Sequence, residues 1–257
     1  MAAMLYQREL DTALAAVHRA GEKALGYWRG RISSEAKADD SPVTPADREC
    51  ERLLVQDLCH GFPDDGILGE EGAQKPSGSG RRWILDPIDG TRDFLRGNRL
   101  WSMLVALEEG GEVVLGLAHF PALGETYWAA RGAGAFRNGE RIRVSTVTEI
   151  SRAVLCINSF SQIHRENFSR HLIEWMRHFW AVRALGGALD AMLVASGSAE
   201  VWIEQGAKAW DLAALQVIAE EAGARFFNFD GGRSIYAGNC VISVPALETV
   251  MRRFVSS

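Results

Sequence analysis

Apolar residues recur at helical spacing through Leu5, Leu10, Ala13, Leu14, Val17, Ala20, Ala24, Leu25 and Trp28. This stripe predicts one long amphipathic helix ending near Gly30. Residues 31–43 (RISSEAKADDSPV) are polar and charged and predict an exposed loop. The helical pattern resumes at Thr44-Pro45-Ala46-Asp47 and runs to about His60. Thr at the N-cap, Pro at the first helical position and Asp at the third make a capping-box pattern. A short apolar run at 66–69 leads into Glu70 and Glu71, and residues 75–80 are rich in Pro, Ser and Gly. Beyond them, residues 101–107, 113–120 and 125–130 read as consecutive strands with Gly- or Pro-containing separators, and Asn138-Gly139 signals a hairpin.

The rhythm then changes. Strands are expected at 154–158, 181–185, 200–203 and 240–244. Helices are expected at 165–179, 186–195 and 210–221, with a last one at the C-terminus. Such alternation indicates an α/β layer. We therefore expect an α/β protein of layered helices and sheets. Residues 1–150 would form an α+β domain with a large antiparallel sheet and the main metal site. Residues 151–257 would form a smaller α/β domain that completes the site.

Composition narrows the partners. The chain has 257 residues, 47% of them hydrophobic, which is enough for a full core. Its formal charge of −5, with no compensating Lys/Arg block, argues against nucleic acid. Gln7, Arg8 and Glu9 interrupt the N-terminal apolar residues, and no apolar stretch is long enough to span a bilayer. The expectation is a cytoplasmic protein without a membrane partner. Cys50, Cys59, Cys156 and Cys240 are scattered, which predicts reduced thiols rather than a zinc site or a disulfide framework.

The segment Trp83-Ile84-Leu85-Asp86-Pro87-Ile88-Asp89-Gly90-Thr91-Arg92-Asp93-Phe94 carries the chemistry. An apolar run ends in two carboxylates three residues apart, and a Gly-Thr pair follows. A strand can deliver carboxylates at its end in this way and hand an anion to the N–H groups that open a helix. Mg²⁺ is held by carboxylates together with substrate phosphate, so one segment could serve both. Glu204 also ends an apolar strand, and Glu70 follows Gly66-Ile-Leu-Gly. A carboxylate so placed is expensive to desolvate unless it is paired or metal-bound. Simpler readings compete. Asp47 and Asp211 fit plain helix-start acids, Asp89 a turn, Glu70-Glu71 a solvated pair, and Glu204-Gln205-Gly206 a strand-end turn. The six histidines show no ligand spacing.

Taken together, Gly69-Glu70-Glu71, WILDPIDGTRDF and Trp210-Asp211-Leu-Ala-Ala resemble the inositol monophosphatase superfamily. The Arg131–Asn138 stretch, Gly186-Gly187-Ala188 and Glu204-Gln205-Gly206 fit the same pattern. The resemblance implies an αβαβα sandwich, a homodimer, inhibition by Li⁺, and a Mg²⁺-dependent phosphomonoesterase using two or three ions. Asp86 would bridge two Mg²⁺ ions. Glu70 and the Ile88 carbonyl would complete the first site, and Asp89 and Asp211 would hold the second. Thr91, oriented by Asp47, would activate water, with Glu70 sharing that task. Gly90 and Thr91 would receive phosphate oxygens through their N–H groups. Gly187, Ala188 and Glu204 would contact the alcohol of a small-molecule phosphate ester. Lys37 would lie in a mobile loop that supplies a further metal site. No covalent enzyme intermediate is required by such metal-assisted displacement.

The substrate stays open at this stage. Arg92, Phe94, Gly97 and Trp101, with Trp180–Arg183, are similar to a histidinol-phosphatase branch, whereas Gly187-Ala188 is closer to the plain inositol-phosphatase pattern. Inositol-1-phosphate and histidinol phosphate rank nearly equal. Adenosine 3′,5′-bisphosphate and fructose 1,6-bisphosphate rank lower. A metal-binding regulatory protein without activity is the alternative of a different class.

Overall fold

The computed structural model describes residues 5–28, 30, 34–36 and 42–257. The chain opens with α1 (Gln7–Trp28), a ribbon of β1 (Glu35–Ala36) and β2 (Pro42–Val43), and α2 (Pro45–Gly61). There follow β3 (Gly66–Gly69), β4 (Gln74–Lys75), β5 (Arg81–Asp89), a short α3 (Thr91–Leu95), β6 (Ser102–Glu109), β7 (Glu112–Phe120), β8 (Glu125–Ala130), β9 (Gly134–Arg137) and β10 (Glu140–Ile142). The remainder contains β11 (Val154–Ile157), α4 (Phe160–Ile163), α5 (Leu172–Met176), β12 (Ala181–Arg183), α6 (Gly187–Ala195), β13 (Val201–Gln205), α7 (Ala209–Glu221), β14 (Arg225–Phe227), β15 (Asn239–Ser243) and α8 (Glu248–Val255).

One sheet has the order β10-β9-β8-β7-β6-β5-β3-β4 and is antiparallel except where β3 runs parallel to β5. The other has the order β12-β11-β13-β15-β14, parallel on one side of β13 and antiparallel on the other. Strand alternation gives each sheet two apolar faces. Trp83 and Leu85 of β5 pack with Leu10, Ala13 and Val17 of α1 and with Cys50 and Leu54 of α2. Ile84, on the opposite face, joins Leu212, Leu215 and Ile218 of α7, together with Cys156, Trp202 and Ile242 of the second sheet. The outer face of that sheet buries Leu155, Ile203 and Val241 under Phe168, Leu172 and Met251. Helix, sheet, helix, sheet and helix are therefore stacked in turn, and this αβαβα layering agrees with the expected fold class.

Several local details differ from expectation. The loop at 31–43 contains the β1–β2 ribbon, with Glu35 opposite Val43. The helix expected at 165–179 is a 3₁₀ turn at Asn167–His171 followed by α5. Asn167, Ser169 and His171 are weak helix formers. The tighter turn also seats Phe168 edge-on against Phe229, while Trp175 stacks on Phe254 at 3.6 Å. The strand expected to reach residue 185 stops at Arg183. The expected hairpin is present, with Asn138 and Gly139 both at positive φ. The four cysteines are free, and among the described residues no helix is long and apolar enough to cross a membrane.

Candidate metal and phosphate site

In a regular strand, residues three apart point to opposite faces. Asp86 and Asp89 escape this rule because the β5–β6 register slips between them. Asp86 lies opposite Leu104, while Asp89 lies opposite Ser102. The strand thus carries one extra residue, a bulge, at Pro87-Ile88. Pro87 suits the place because it has no N–H to contribute to a ladder. The bulge reverses the side-chain phase. Ile88 joins the α1/α2 core beside Leu85, and Asp89 turns to the face that already holds Asp86. The Ile88 N–H donates to Asp86 Oδ1 at 3.0 Å and steadies that carboxylate.

From across the layer, α7 contributes Asp211. Oxygens of Asp86, Asp89 and Asp211 all lie within 4.8 Å of one another. Glu70 lines the same cavity and shares a hydrogen bond with Asp86. Its position is set by buried Glu51 of α2, whose carboxylate accepts the N–H groups of Glu71 and Ala73, each at 2.9 Å. A Cβ on Gly69 would come within 2.1 Å of a Glu51 oxygen, so a side chain there would displace this carboxylate from its N–H partners.

The neighbouring carboxylates hold one another's protons. Burial first, then the charges of Glu70, Asp89 and Asp211, push Asp86 well above the usual carboxylate range. Burial likewise lifts Asp89 to about 6 and Asp211 to about 7, with the neighbouring acids adding to the effect. Among the described residues, no Lys or Arg forms an ion pair with Asp86, Asp89 or Asp211. An all-oxygen acidic set of this kind, short of positive charge, suits a hard divalent cation.

Thr91 opens α3 behind Gly90, which sits at φ 82°. That positive φ is a conformation side chains rarely adopt, so the turn favours glycine. Thr91 Oγ1 is within 3.4 Å of Asp47 Oδ1 and 3.2 Å of the Ile88 carbonyl. Asp47 is wholly buried, and its other oxygen accepts both the N–H and the hydroxyl of Thr44. The capping box read from the sequence is therefore real, and it leaves one Asp47 oxygen for Thr91.

The cavity, of about 450 Å³, extends from these acids toward the second sheet. Glu204 reaches it from β13, with Ser159 Oγ donating to Glu204 Oε1. Burial pushes Glu204 to about 8, with the nearby charges of Asp211 and Asp89 adding to it. Gly187 and Ala188 form a lip at the start of α6. The Ala188 N–H donates to Asp89 Oδ2 at 3.3 Å. A Cβ on Gly187 would stand 3.7 Å from Asp89 and 3.9 Å from Glu204. Every expected site residue thus meets at this cavity or behind it, except Lys37, which lies outside the described residues. Sequence reasoning missed Glu51, Asn158 and Ser159. Asn158 follows the apolar strand Val154–Ile157, the same signal that marked Asp86 and Glu204. Ser159, at φ 57°, carries no such signal.

Comparison with known proteins gives consistent findings. The profile of the Inositol monophosphatase family matches residues 6–255. A histidinol-phosphatase of Chlorobaculum parvum is 43% identical over 238 residues, covering 91% of each chain. An inositol-1-monophosphatase of Mesorhizobium japonicum is 38% identical over 256 residues, covering 95% of this chain and 96% of its own. The solved structure of an IMPase from Thermotoga maritima matches with a TM-score of 0.87 at 34% identity, over 96% of both chains.

Proposed function

This chain belongs to the inositol monophosphatase family and is a phosphoric monoester hydrolase of that family; within it, we propose that the enzyme hydrolyses histidinol phosphate with Mg²⁺ as its cofactor. The observation that carries the proposal is the convergence of Asp86, Asp89 and Asp211 beside the Thr91–Asp47 pair. Glu70, Asp86 and the Ile88 carbonyl would hold one Mg²⁺, and Asp86, Asp89 and Asp211 a second; Lys37 belongs to the segment assigned a third. The metal supplies charge neutralisation for the phosphate dianion and lowers the pKa of water.

The chain's own residues do the rest. A hydroxyl has one proton and two lone pairs. With its proton directed to Asp47, Thr91 keeps its lone pairs to receive a hydrogen bond from the attacking water. Glu70 shares that task. The N–H groups of Gly90 and Thr91 hold phosphate oxygens. Gly187, Ala188 and Glu204 face the alcohol. Around that alcohol the cavity wall carries Asp93 and Glu204 together with Arg92, and among the described residues no Lys or Arg is paired to either acid. An amino alcohol brings a positive charge that these two acids can meet, and this favours histidinol phosphate. The small Gly187-Ala188 lip favours a second reading, because it leaves room for a hydroxylated ring as in inositol-1-phosphate. The family resemblance further supports a cytoplasmic homodimer that Li⁺ inhibits.

A panel of phosphomonoesters with Mg²⁺, read by phosphate release, tests the assignment. The expected result is a kcat/KM for histidinol phosphate at least tenfold above that for inositol-1-phosphate. The reverse ranking would move the chain to the inositol-phosphate reading. Release from no ester would assign it to the inactive regulatory class.

A further inference from the structure

Asp190 is a wholly buried carboxylate to which the reaction gives no part. It sits in the first turn of α6 and reaches back to the segment before the helix. Its Oδ2 accepts the N–H of Leu185 at 3.0 Å and that of Gly186 at 3.2 Å. The Asp190 N–H returns a bond to the Gly186 carbonyl at 3.0 Å. These three bonds close a loop around Gly186, whose φ of 149° is a conformation that side chains rarely allow. Beyond the end of β12 at Arg183, the N–H groups of Leu185 and Gly186 thus turn inward to Asp190.

The loop matters because of what its outer side touches. Immediately after Gly186, the lip places Gly187 against Asp89 and Glu204 and gives Asp89 the Ala188 N–H. The inner side of Asp190 faces β11. Burial raises its pKa, and Gly186, Leu185, Asn158 and Cys156 each draw it back down. Asn158 precedes Ser159, the donor to Glu204. Asp190 therefore stands between the two arms that aim the site, the α6 lip on Asp89 and the end of β11 on Glu204.

We infer that Asp190 is a positioning residue, which sets the α6 lip and through it the orientation of Asp89 and the width of the alcohol subsite. The inference rests on the metal-dependent phosphatase reading, and a calorimetric titration with Mn²⁺ alone separates the two. Asp190→Ala removes both acceptor bonds. It is expected to weaken Mn²⁺ binding about tenfold and to raise KM for the ester about tenfold, within the range known for outer-shell groups, while kcat changes less than threefold. In Asp190→Asn the amide oxygen still accepts both N–H groups, so this variant should bind Mn²⁺ and ester within threefold of the parent. Asp190→Ser, too short to reach the lip, should behave like the alanine variant and serves if that one fails to fold. A folded alanine or serine variant with parental Mn²⁺ affinity and KM overturns the inference, however much its melting temperature falls. A parent chain that binds Mn²⁺ yet releases no phosphate from any ester would instead sink the phosphatase reading and leave the metal arm of the test intact.

Discussion

Asp47 and Asp211 hold the same place in two helices. Each is the third residue of its helix, α2 or α7, and each accepts the N–H of its own N-cap residue, Thr44 at 2.8 Å and Lys208 at 2.6 Å. By local geometry they are twins. They part in what surrounds the second oxygen. Asp47 lies in a closed pocket where Thr44 and Thr91 together use both oxygens. Asp211 opens onto the cavity and meets Asp86 and Asp89 instead of hydroxyl donors. One helix start therefore makes a hydrogen-bond anchor and the other a candidate metal ligand. The difference lies in the strands that face them, since the helices offer the same device.

The sharpest way to break this symmetry is Asp211→Asn. The amide oxygen can still cap α7, but a ligand charge is gone. The expected fall in kcat/KM is roughly 10²–10³-fold, the equivalent of a few kcal/mol of metal stabilisation. Steady-state kinetics at saturating Mg²⁺ measure it, and a loss below tenfold would reduce Asp211 to a cap. Asp47→Asn should do less. It weakens the acceptor for Thr91 without touching the acids, so kcat should fall roughly 10–100-fold while Mn²⁺ affinity measured by calorimetry stays within threefold.

A third measurement uses pH on the metal-free protein. Asp211, Asp86 and Glu204 titrate higher in the fold than in an open chain, so the folded state holds their protons more tightly. That stabilisation is complete below the ordinary carboxylate range and is lost as pH rises through about 7 and 8. The melting temperature should therefore drop between pH 6.5 and 8.5 by roughly 5–10 °C. Divalent metal should abolish the drop, and Asp211→Asn should flatten it. A flat profile in the metal-free parent would mean that the acids do not oppose one another. The window starts at 6.5 because His119, held down at about 4 by burial and by His18, acts in the opposite direction at lower pH. The smallest effect distinguishes the caps themselves. Thr44→Ala should cost about 1 kcal/mol in urea unfolding, whereas Lys208→Ala, which removes no capping acceptor, should stay within about 0.5 kcal/mol.

These twins also explain what the sequence could reveal. The capping box at Thr44–Asp47 was legible residue by residue because its bonds are local. Asp211 showed only that it began a helix. Its partners lie more than a hundred residues away, and only the resemblance to a known family brought them together. The layered architecture was legible for the same reason as the box, since periodicity records which face of an element is apolar. What stayed hidden depends on packing between elements. Phe168 and Trp175 fit a helical stripe, yet rings from α8 and the Phe229 turn broke it into two shorter turns. Glu51 sits within the second helical pattern with no motif around it, and nothing local shows that the turn after β3 comes to rest on it. Asp190 was hidden likewise, because its acceptor role exists only once the chain doubles back at Gly186.

The extra residue in β5 has a bearing on engineering. Anyone transplanting this centre to another scaffold by copying acids onto an ideal strand would aim one carboxylate at the intended pocket and bury the other among aliphatic side chains. The transferable unit is the irregular backbone from Asp86 to Asp89 together with its proline, and the acids are useful only on that offset. Removing a single residue there would be expected to disarm the catalyst while leaving every ligand present in the gene.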